Sequence, residues 1–131
     1  MHSSLLLGMM LLGAVAWTGC AASAERPGAS GVMRHVVLFK FKDDAKADDI
    51  RKVEGEFLAL KSRIPGVQSL EWGTNVSPEG LNQGFTHCFF VTFADAKARD
   101  AYLPHAAHQE FVKVLRPVLD KVLVIDYVSK D

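Results

Sequence analysis

The protein has 131 residues, of which 49% are hydrophobic and 23% charged, a balance typical of one folded globular domain. Fifteen lysines and arginines are matched by fifteen aspartates and glutamates. There is therefore no basic excess of the kind that binds nucleic acid or an anionic membrane surface. Two cysteines, Cys20 and Cys88, are too few for a disulfide framework or a four-thiolate metal site.

The N-terminal segment is uncharged and apolar from Leu5 to Trp17. As a helix of about 20 Å it is shorter than the ~30 Å hydrocarbon core of a bilayer. Small residues follow it, so the pattern predicts a signal peptide over residues 1–24, although no Lys or Arg precedes the apolar run. Residues 21–33 are predicted to be a flexible linker, and residues 34–131 the folded domain.

Two cleavage sites compete in this leader. The sequence TGC at 18–20 resembles the lipobox of bacterial lipoproteins, in which residues 1–19 are removed and Cys20 is lipidated, although Trp17 replaces the usual aliphatic residue. The sequence ASA at 22–24 is the alternative site, and cleavage there would release a soluble periplasmic or secreted protein. We favour the lipoprotein, and expect an exported protein anchored to the bacterial cell envelope by lipid on Cys20.

Six elements of secondary structure are predicted in the domain. The first strand is rich in Val, Phe and Leu, and the first helix has apolar residues at spacings of three and four, which form one stripe toward a core. In chain order the elements are strand 34–42, helix 45–64, strand 67–76, strand 85–93, a helical stretch from 95 to 119 that Pro104 interrupts, and strand 121–128. The order β-α-β-β-α-β predicts an α+β fold of the ferredoxin-like type.

The strand sequences also predict an oligomer. In the first and third strands both sets of alternating side chains contain large apolar residues, which indicates that both faces of the sheet are at least partly covered. Two helices can cover only one face of a four-stranded sheet. An isologous homodimer, with sheet against sheet, is the simplest way to cover the other face.

Four histidines and a tyrosine are candidates for a functional site. His35 and His87 share one apolar face of two strands that this fold places side by side at the centre of the sheet. Tyr102, His105 and His108 follow one another at spacings of three residues, and therefore project on roughly one side of a helical stretch. These positions predict a pocket between helix and sheet that contains all five side chains.

Three interpretations of this cluster remain open. The histidines could be satisfied polar residues of the core and the surface, they could bind a metal, or they could perform acid–base chemistry with the tyrosine. Metal binding is disfavoured because no thiolate or carboxylate lies at a matching spacing. No glycine-rich phosphate loop is present, so no nucleotide cofactor is expected, and Cys88 is interpreted as a small buried hydrophobe within a strand.

The domain resembles the stress-responsive A/B barrel (Dabb) family in several separated motifs. These motifs are RHVVLFKFKD at 34–43, IPGV at 64–67, EWG at 71–73, GFTH at 84–87, VTF at 91–93, YLPHAAHQEF at 102–111 and VLVIDY at 122–127. The resemblance covers essentially all of 34–131. It implies a dimeric α+β barrel built from two ferredoxin-like protomers.

The resemblance also implies roles for the candidate site residues. An enzymatic member of the family, a plant polyketide cyclase, closes a linear chain by intramolecular aldol condensation with a tyrosine and a histidine. Tyr102 and His108 match that catalytic pair, with His108 as the general base and Tyr102 orienting the carbonyl, whereas Ala106 stands where the family has proline. The implied pocket residues are His35, Val37, Phe39, His87, Phe89 and His105.

Together these observations predict an exported homodimer that binds a small apolar or aromatic ligand in a pocket lined by His and Tyr. We expect it to use neither a metal nor a cofactor. The alternative is a polyketide-cyclase-like lyase that uses Tyr102 and His108. By fold analogy alone, a haem- or quinone-type monooxygenase is a second alternative.

Overall fold

The computed structural model describes residues 31–130. The predicted signal peptide, its cleavage sites, Cys20 and most of the predicted linker lie outside these residues. The described elements are β1 (Met33–Phe41), α1 (Ala47–Arg63), β2 (Val67–Thr74), β3 (His87–Phe93), α2 (Ala96–Tyr102), α3 (Ala106–Leu115) and β4 (Leu119–Val128). None of the helices within residues 31–130 has the length and apolar character needed to cross a bilayer.

The four strands form one antiparallel sheet in the order β2-β3-β1-β4. This is the ferredoxin-like arrangement predicted from the sequence, with the second helical stretch divided into α2 and α3 on either side of Pro104. A proline within a helix lacks the amide hydrogen that its turn requires, and it clashes with the preceding turn. The break at Pro104 is therefore a local consequence of the sequence.

Most predicted boundaries differ from those of the structure by one to four residues, and two of the differences have a clear local cause. β3 begins at His87 rather than at residue 85, since the amide of Phe85 donates to the Asn82 carbonyl at 2.8 Å and closes a turn. α3 ends at Leu115 rather than at residue 119, since Pro117 has no amide hydrogen to continue the helix. β4 consequently begins two residues earlier than predicted, at Leu119.

The helices cover one face of the sheet and bury the core there. Successive residues of β1 alternate between buried and half-buried positions, as a strand with one covered face requires. The centre of this core is aromatic: the ring of Phe57 from α1 stacks on Phe89 at 4.1 Å and meets Phe111 from α3 edge-on at 4.9 Å. α1 is fixed on the sheet by this cluster and by the buried Val53 and Leu60.

The opposite face of the sheet, called the outer face here, is largely apolar and has no helix of the described residues upon it. The strand register places seven large or apolar side chains on it: Val36, Leu38, Cys88, Phe90, Leu123, Ile125 and Tyr127. Leu123 and Ile125 are 41% and 51% exposed in the single protomer. Contiguous apolar surface of this kind is rare on a soluble monomer, and marks a contact surface.

Candidate functional site

An apolar cavity of about 340 Å³ lies between α2 and α3 on one side and β1 and β4 on the other. Its walls are mostly aliphatic and aromatic, and four polar side chains reach it: His35, Tyr102, His108 and Arg116. The volume lies toward the small end of the range of ~300–1,000 Å³ usual for small-molecule sites. A mainly apolar lining that contains a few polar groups is also typical of such sites.

Tyr102, the last residue of α2, is the buried polar group at one end of the cavity. Its side chain is 1% exposed, and its hydroxyl has no hydrogen-bond partner within residues 31–130. Burial raises the pKa of this phenol above its usual value of 10, so the hydroxyl remains protonated and can donate. Buried polar groups are nearly always hydrogen-bonded, and a missing partner calls for an explanation.

His108 lies in the first turn of α3 and packs against Tyr102, with the two ring centroids 4.6 Å apart. Its Nδ1 is 2.9 Å from the carbonyl oxygen of Leu103. A carbonyl can only accept, so Nδ1 carries the hydrogen and donates. Nε2 is then left with a free lone pair, and has no partner within the described part of the chain.

Burial lowers the pKa of the His108 imidazole below its usual 6.5. The hydrogen bond to Leu103 opposes part of this shift, and the nearby His35 adds to it. The imidazole is therefore mainly neutral at pH 7. A neutral imidazole whose Nε2 is unprotonated is the form that can accept a proton or a hydrogen bond.

His35, on β1, is the second oriented imidazole of the cavity. It is 4% exposed, and its ring centroid lies 5.8 Å from that of Tyr102. Its Nδ1 is 2.6 Å from Oδ1 of Asp126 on β4, and the other carboxylate oxygen of Asp126 pairs with Arg99 of α2. A carboxylate accepts from Nδ1–H and fixes the orientation of the ring, so that Nε2 is the nitrogen left for a ligand.

The sequence pattern does not predict Asp126 and Arg99 as residues of the site. The register of β1 with β4 pairs Asp126 directly with His35, and this register is not evident from the strand sequences alone. One signal was available, since Asp126 is the single acid in the apolar run from Val122 to Val128. An acid at such a position is costly unless it has a partner.

His87 does not join this site, contrary to the prediction. β1 and β3 are antiparallel, so His87 is paired with Phe39, whereas His35 is paired with Val91 near the other end of the sheet. The two His87 nitrogens bind Oε1 of Glu54 at 2.9 Å and Oγ1 of Thr86 at 2.8 Å. His87 is thus a core residue whose two ring nitrogens are both hydrogen-bonded within the protein. This is the first of the three interpretations that the sequence left open.

Two further predicted pocket residues also lie outside the lining of the cavity. His105 is the N-cap of α3, where its Nδ1 accepts from the amide of Ala107 at 3.1 Å. Phe89 is fully buried beneath the rings of Phe57 and Trp72. Of the six predicted pocket residues, the lining contains His35, Val37 and Phe39, together with the predicted pair Tyr102 and His108.

Neither a metal site nor a reactive thiol is evident in the described part of the chain. Residues 31–130 contain no group of three or more His, Cys, Asp and Glu side chains placed to hold a metal ion. His105 and His108, the H-x-x-H pair, bind different backbone groups. Cys88 is half-buried on the outer face, where burial, with a smaller contribution from Glu71, raises the pKa of its thiol.

The chain is similar to a known domain family and to plant proteins. The model of the Stress responsive A/B Barrel Domain, Dabb, matches residues 33–129. The chain belongs to the Dabb family. The stress-response A/B barrel domain-containing protein HS1 of Arabidopsis thaliana is 40% identical over 99 residues, which are 76% of this chain and 91% of that relative. Olivetolic acid cyclase of Cannabis sativa is 29% identical over 98 residues, 75% of this chain and 97% of that enzyme.

Solved structures agree with the fold of this Dabb domain. A dimeric ferredoxin-like protein of unknown function from Jannaschia sp. CCS1 superposes with a TM-score of 0.67 at 25% identity, covering 76% of this chain and 100% of that one. The ferredoxin-like fold predicted from the sequence is thus shared with a structural neighbour that is dimeric.

The unpartnered hydroxyl of Tyr102 gives a prediction for stability. Tyr102→Phe should raise the free energy of unfolding of the ligand-free protein by about 1 kcal/mol, because it removes a buried donor that has no acceptor. Chemical denaturation at fixed protein concentration measures the change. A clear loss of stability in Tyr102→Phe would mean that the hydroxyl has an acceptor before any ligand binds.

Proposed function

We propose that this Dabb protein binds a small, mainly apolar molecule whose oxygen atom accepts a hydrogen bond from Tyr102. The observation that carries the proposal is the buried hydroxyl without a partner on Tyr102, a side chain that lines an apolar cavity. A ligand carbonyl would satisfy this donor, and the surrounding aromatic and aliphatic walls would bury the rest of the molecule. A hydrogen bond to so buried a donor contributes strongly to specificity, because a ligand without the acceptor leaves the donor unpaired.

The two imidazoles extend the polar end of the cavity. Both His35 and His108 have Nδ1 engaged by a fixed acceptor, which leaves Nε2 as the free nitrogen of each ring. Nitrogens whose orientation is fixed in advance lose little entropy when a ligand binds. The site is therefore suited to a ligand that presents a carbonyl oxygen to Tyr102 and a hydrogen-bond donor or an acidic C–H to His108.

A second candidate is cyclase or lyase chemistry on the same ligand. The lowered pKa of His108 favours it, since a neutral imidazole can take a proton from the carbon beside a carbonyl. The Tyr102 hydroxyl would donate to the enolate oxygen as its charge develops. The enolate carbon would attack a second carbonyl of the same chain, and the new alkoxide would receive the proton from the imidazolium. Support comes from the match of both residues to the cyclase pair and from the relative named olivetolic acid cyclase.

One experiment separates binding from catalysis. Aromatic and polyketide-type carbonyl compounds are screened by thermal shift, each beside a hydrocarbon analogue that lacks the oxygen. We expect a carbonyl compound to raise the melting temperature, and Tyr102→Phe to weaken its binding about tenfold through the loss of one hydrogen bond. Mass spectrometry of the recovered compound then shows whether it was changed.

The outcomes of the screen have distinct meanings. An unchanged compound supports the binding protein, whereas conversion by the wild type and not by His108→Ala supports the cyclase or lyase. Equal binding of the carbonyl compound and its hydrocarbon analogue, unaffected by Tyr102→Phe, would contradict the role of the tyrosine.

We infer that the protein is a homodimer joined through the outer face. The apolar side chains of this face are left uncovered by the protomer, and the ferredoxin-like neighbour from Jannaschia is dimeric. Two outer faces packed together form an isologous interface, in which each protomer covers the exposed leucines and isoleucine of the other. Burial of such surface is the main driving force of stable homodimers.

A charge at the centre of the outer face should prevent this assembly. Leu38→Asp places an unpaired carboxylate opposite Leu123 on the neighbouring strand, so the variant should sediment as a monomer at micromolar concentration whereas the wild type sediments as a dimer. Leu58→Asp is the matched control, because Leu58 is 39% exposed on α1, on the helical side of the sheet. A wild type that sediments as a folded monomer would refute the interface.

We further propose, from the leader sequence, that the protein is exported and anchored to the bacterial envelope through Cys20. Mass spectrometry of the mature N-terminus from bacterial membranes should find a diacylated Cys20. A free N-terminus at Glu25 would replace the anchor with a soluble exported form, and a chain that retains Met1 would contradict export.

A further inference from the structure

The lining of the cavity follows α3, and the polar residues near the two ends of this helix differ chemically. Tyr102 and His108 mark one end near the start of α3, and Arg116 marks the other end, directly after the helix. Arg116 lies eight positions after His108, a separation of about 12 Å along a helix. β4 runs along the cavity in the direction opposite to α3: Leu119 lies at the Arg116 end, and Val124 lies next to the pair formed by His35 and Asp126.

Arg116 is the one arginine within residues 31–130 whose guanidinium has no side-chain partner. The other four pair with Thr92, Asp48, Glu56, and the two acids Asp100 and Asp126. The side chain of Arg116 is exposed and lines the cavity, whose lining contains no Asp or Glu. No carboxylate of the cavity lining therefore neutralises its positive charge.

The surface between the two ends is apolar and partly open. Val122 and Val124 of β4 line the cavity, although each remains 48% exposed. Leu119 and Leu115 continue this apolar wall toward Arg116. A ligand that lay along these residues would cover aliphatic surface over most of its length and would end at a guanidinium.

We propose that the ligand is a single-chain amphiphilic anion, whose carboxylate pairs with Arg116 while its apolar body extends along α3 toward Tyr102. This inference rests on the proposed function, since it names the class of molecule that fills the same cavity. Guanidinium groups bind carboxylates in a planar, two-point geometry, which makes an arginine suited to this role. Arg116 is thereby a specificity-determining residue, at the end of the cavity opposite Tyr102.

Decanoate and decanamide test the Arg116 end alone, because they have the same length and apolar body, differ in charge, and carry no second oxygen group for Tyr102. Their affinities for the purified chain are measured by calorimetry below the micellar concentration of decanoate. The wild type should bind decanoate about threefold to fivefold more tightly than decanamide, and this preference should fall at high salt. Arg116→Gln should abolish the preference and leave the affinity for decanamide unchanged.

Two further variants control for charge and for folding. Lys113→Gln removes a positive charge from α3 at an exposed side chain that pairs with Glu110 outside the cavity lining, and should leave the preference intact. Arg116→Lys retains the charge and should restore part of the preference lost in Arg116→Gln. Each variant changes an exposed side chain, so all should keep the melting temperature of the wild type.

The inference and the proposed function fail in different ways. If decanamide binds as tightly as decanoate, and Arg116→Gln changes neither affinity, the anion site is overturned while the apolar cavity stands. If Lys113→Gln lowers the preference as much as Arg116→Gln does, the effect is one of net charge, and the assignment to Arg116 is overturned. If neither compound binds at any salt concentration, both the anion site and its occupation by an apolar chain are overturned.

Discussion

The position of β1 at the centre of the sheet is the constraint on which the other features depend. β1 pairs with β3 on one side and with β4 on the other, both antiparallel. One face of β1 therefore supplies the floor of the aromatic core and also the wall of the cavity, and Val37 and Phe39 belong to both. A shift of one residue in either pairing would turn this whole set of side chains to the outer face. The same pairing brings Asp126 beside His35, so the register that builds the core also orients an imidazole of the site.

The site is a place where polar groups are buried with only part of their hydrogen-bonding capacity used. The His87–Glu54 pair at the other end of the sheet shows the usual solution, in which both ring nitrogens are satisfied within the protein. Around Tyr102 the protein departs from this solution: the buried hydroxyl and one ring nitrogen each of His35 and His108 have no partner within the described residues, on side chains that line an apolar cavity. Proteins tolerate such a loss of stability mainly where a ligand restores the missing bonds.

The sequence was sufficient for the fold and for part of the site. Side-chain periodicity and turn residues predict every strand and helix, and Pro104 predicts the break in the second helical stretch, because these signals are local. The placement of His87 was wrong for a non-local reason: two histidines on the same face of neighbouring strands are close only if the register aligns them. His105 was misplaced because an N-cap turns its side chain back to its own helix. Asp126 and Arg99 became evident only when β4 was aligned with β1.

The hydrogen bond between His108 and Leu103 depends on the break between α2 and α3. In an unbroken helix the carbonyl of Leu103 would accept from the amide of Ala107, but that amide is bound to His105 instead. The carbonyl is therefore free to accept from His108 and from the side chain of Gln109. An irregularity of the backbone beside Pro104, rather than any acidic side chain, thus selects the nitrogen at which His108 can take up a proton. A replacement that joined α2 to α3 would leave the imidazole in the cavity but without a defined basic nitrogen.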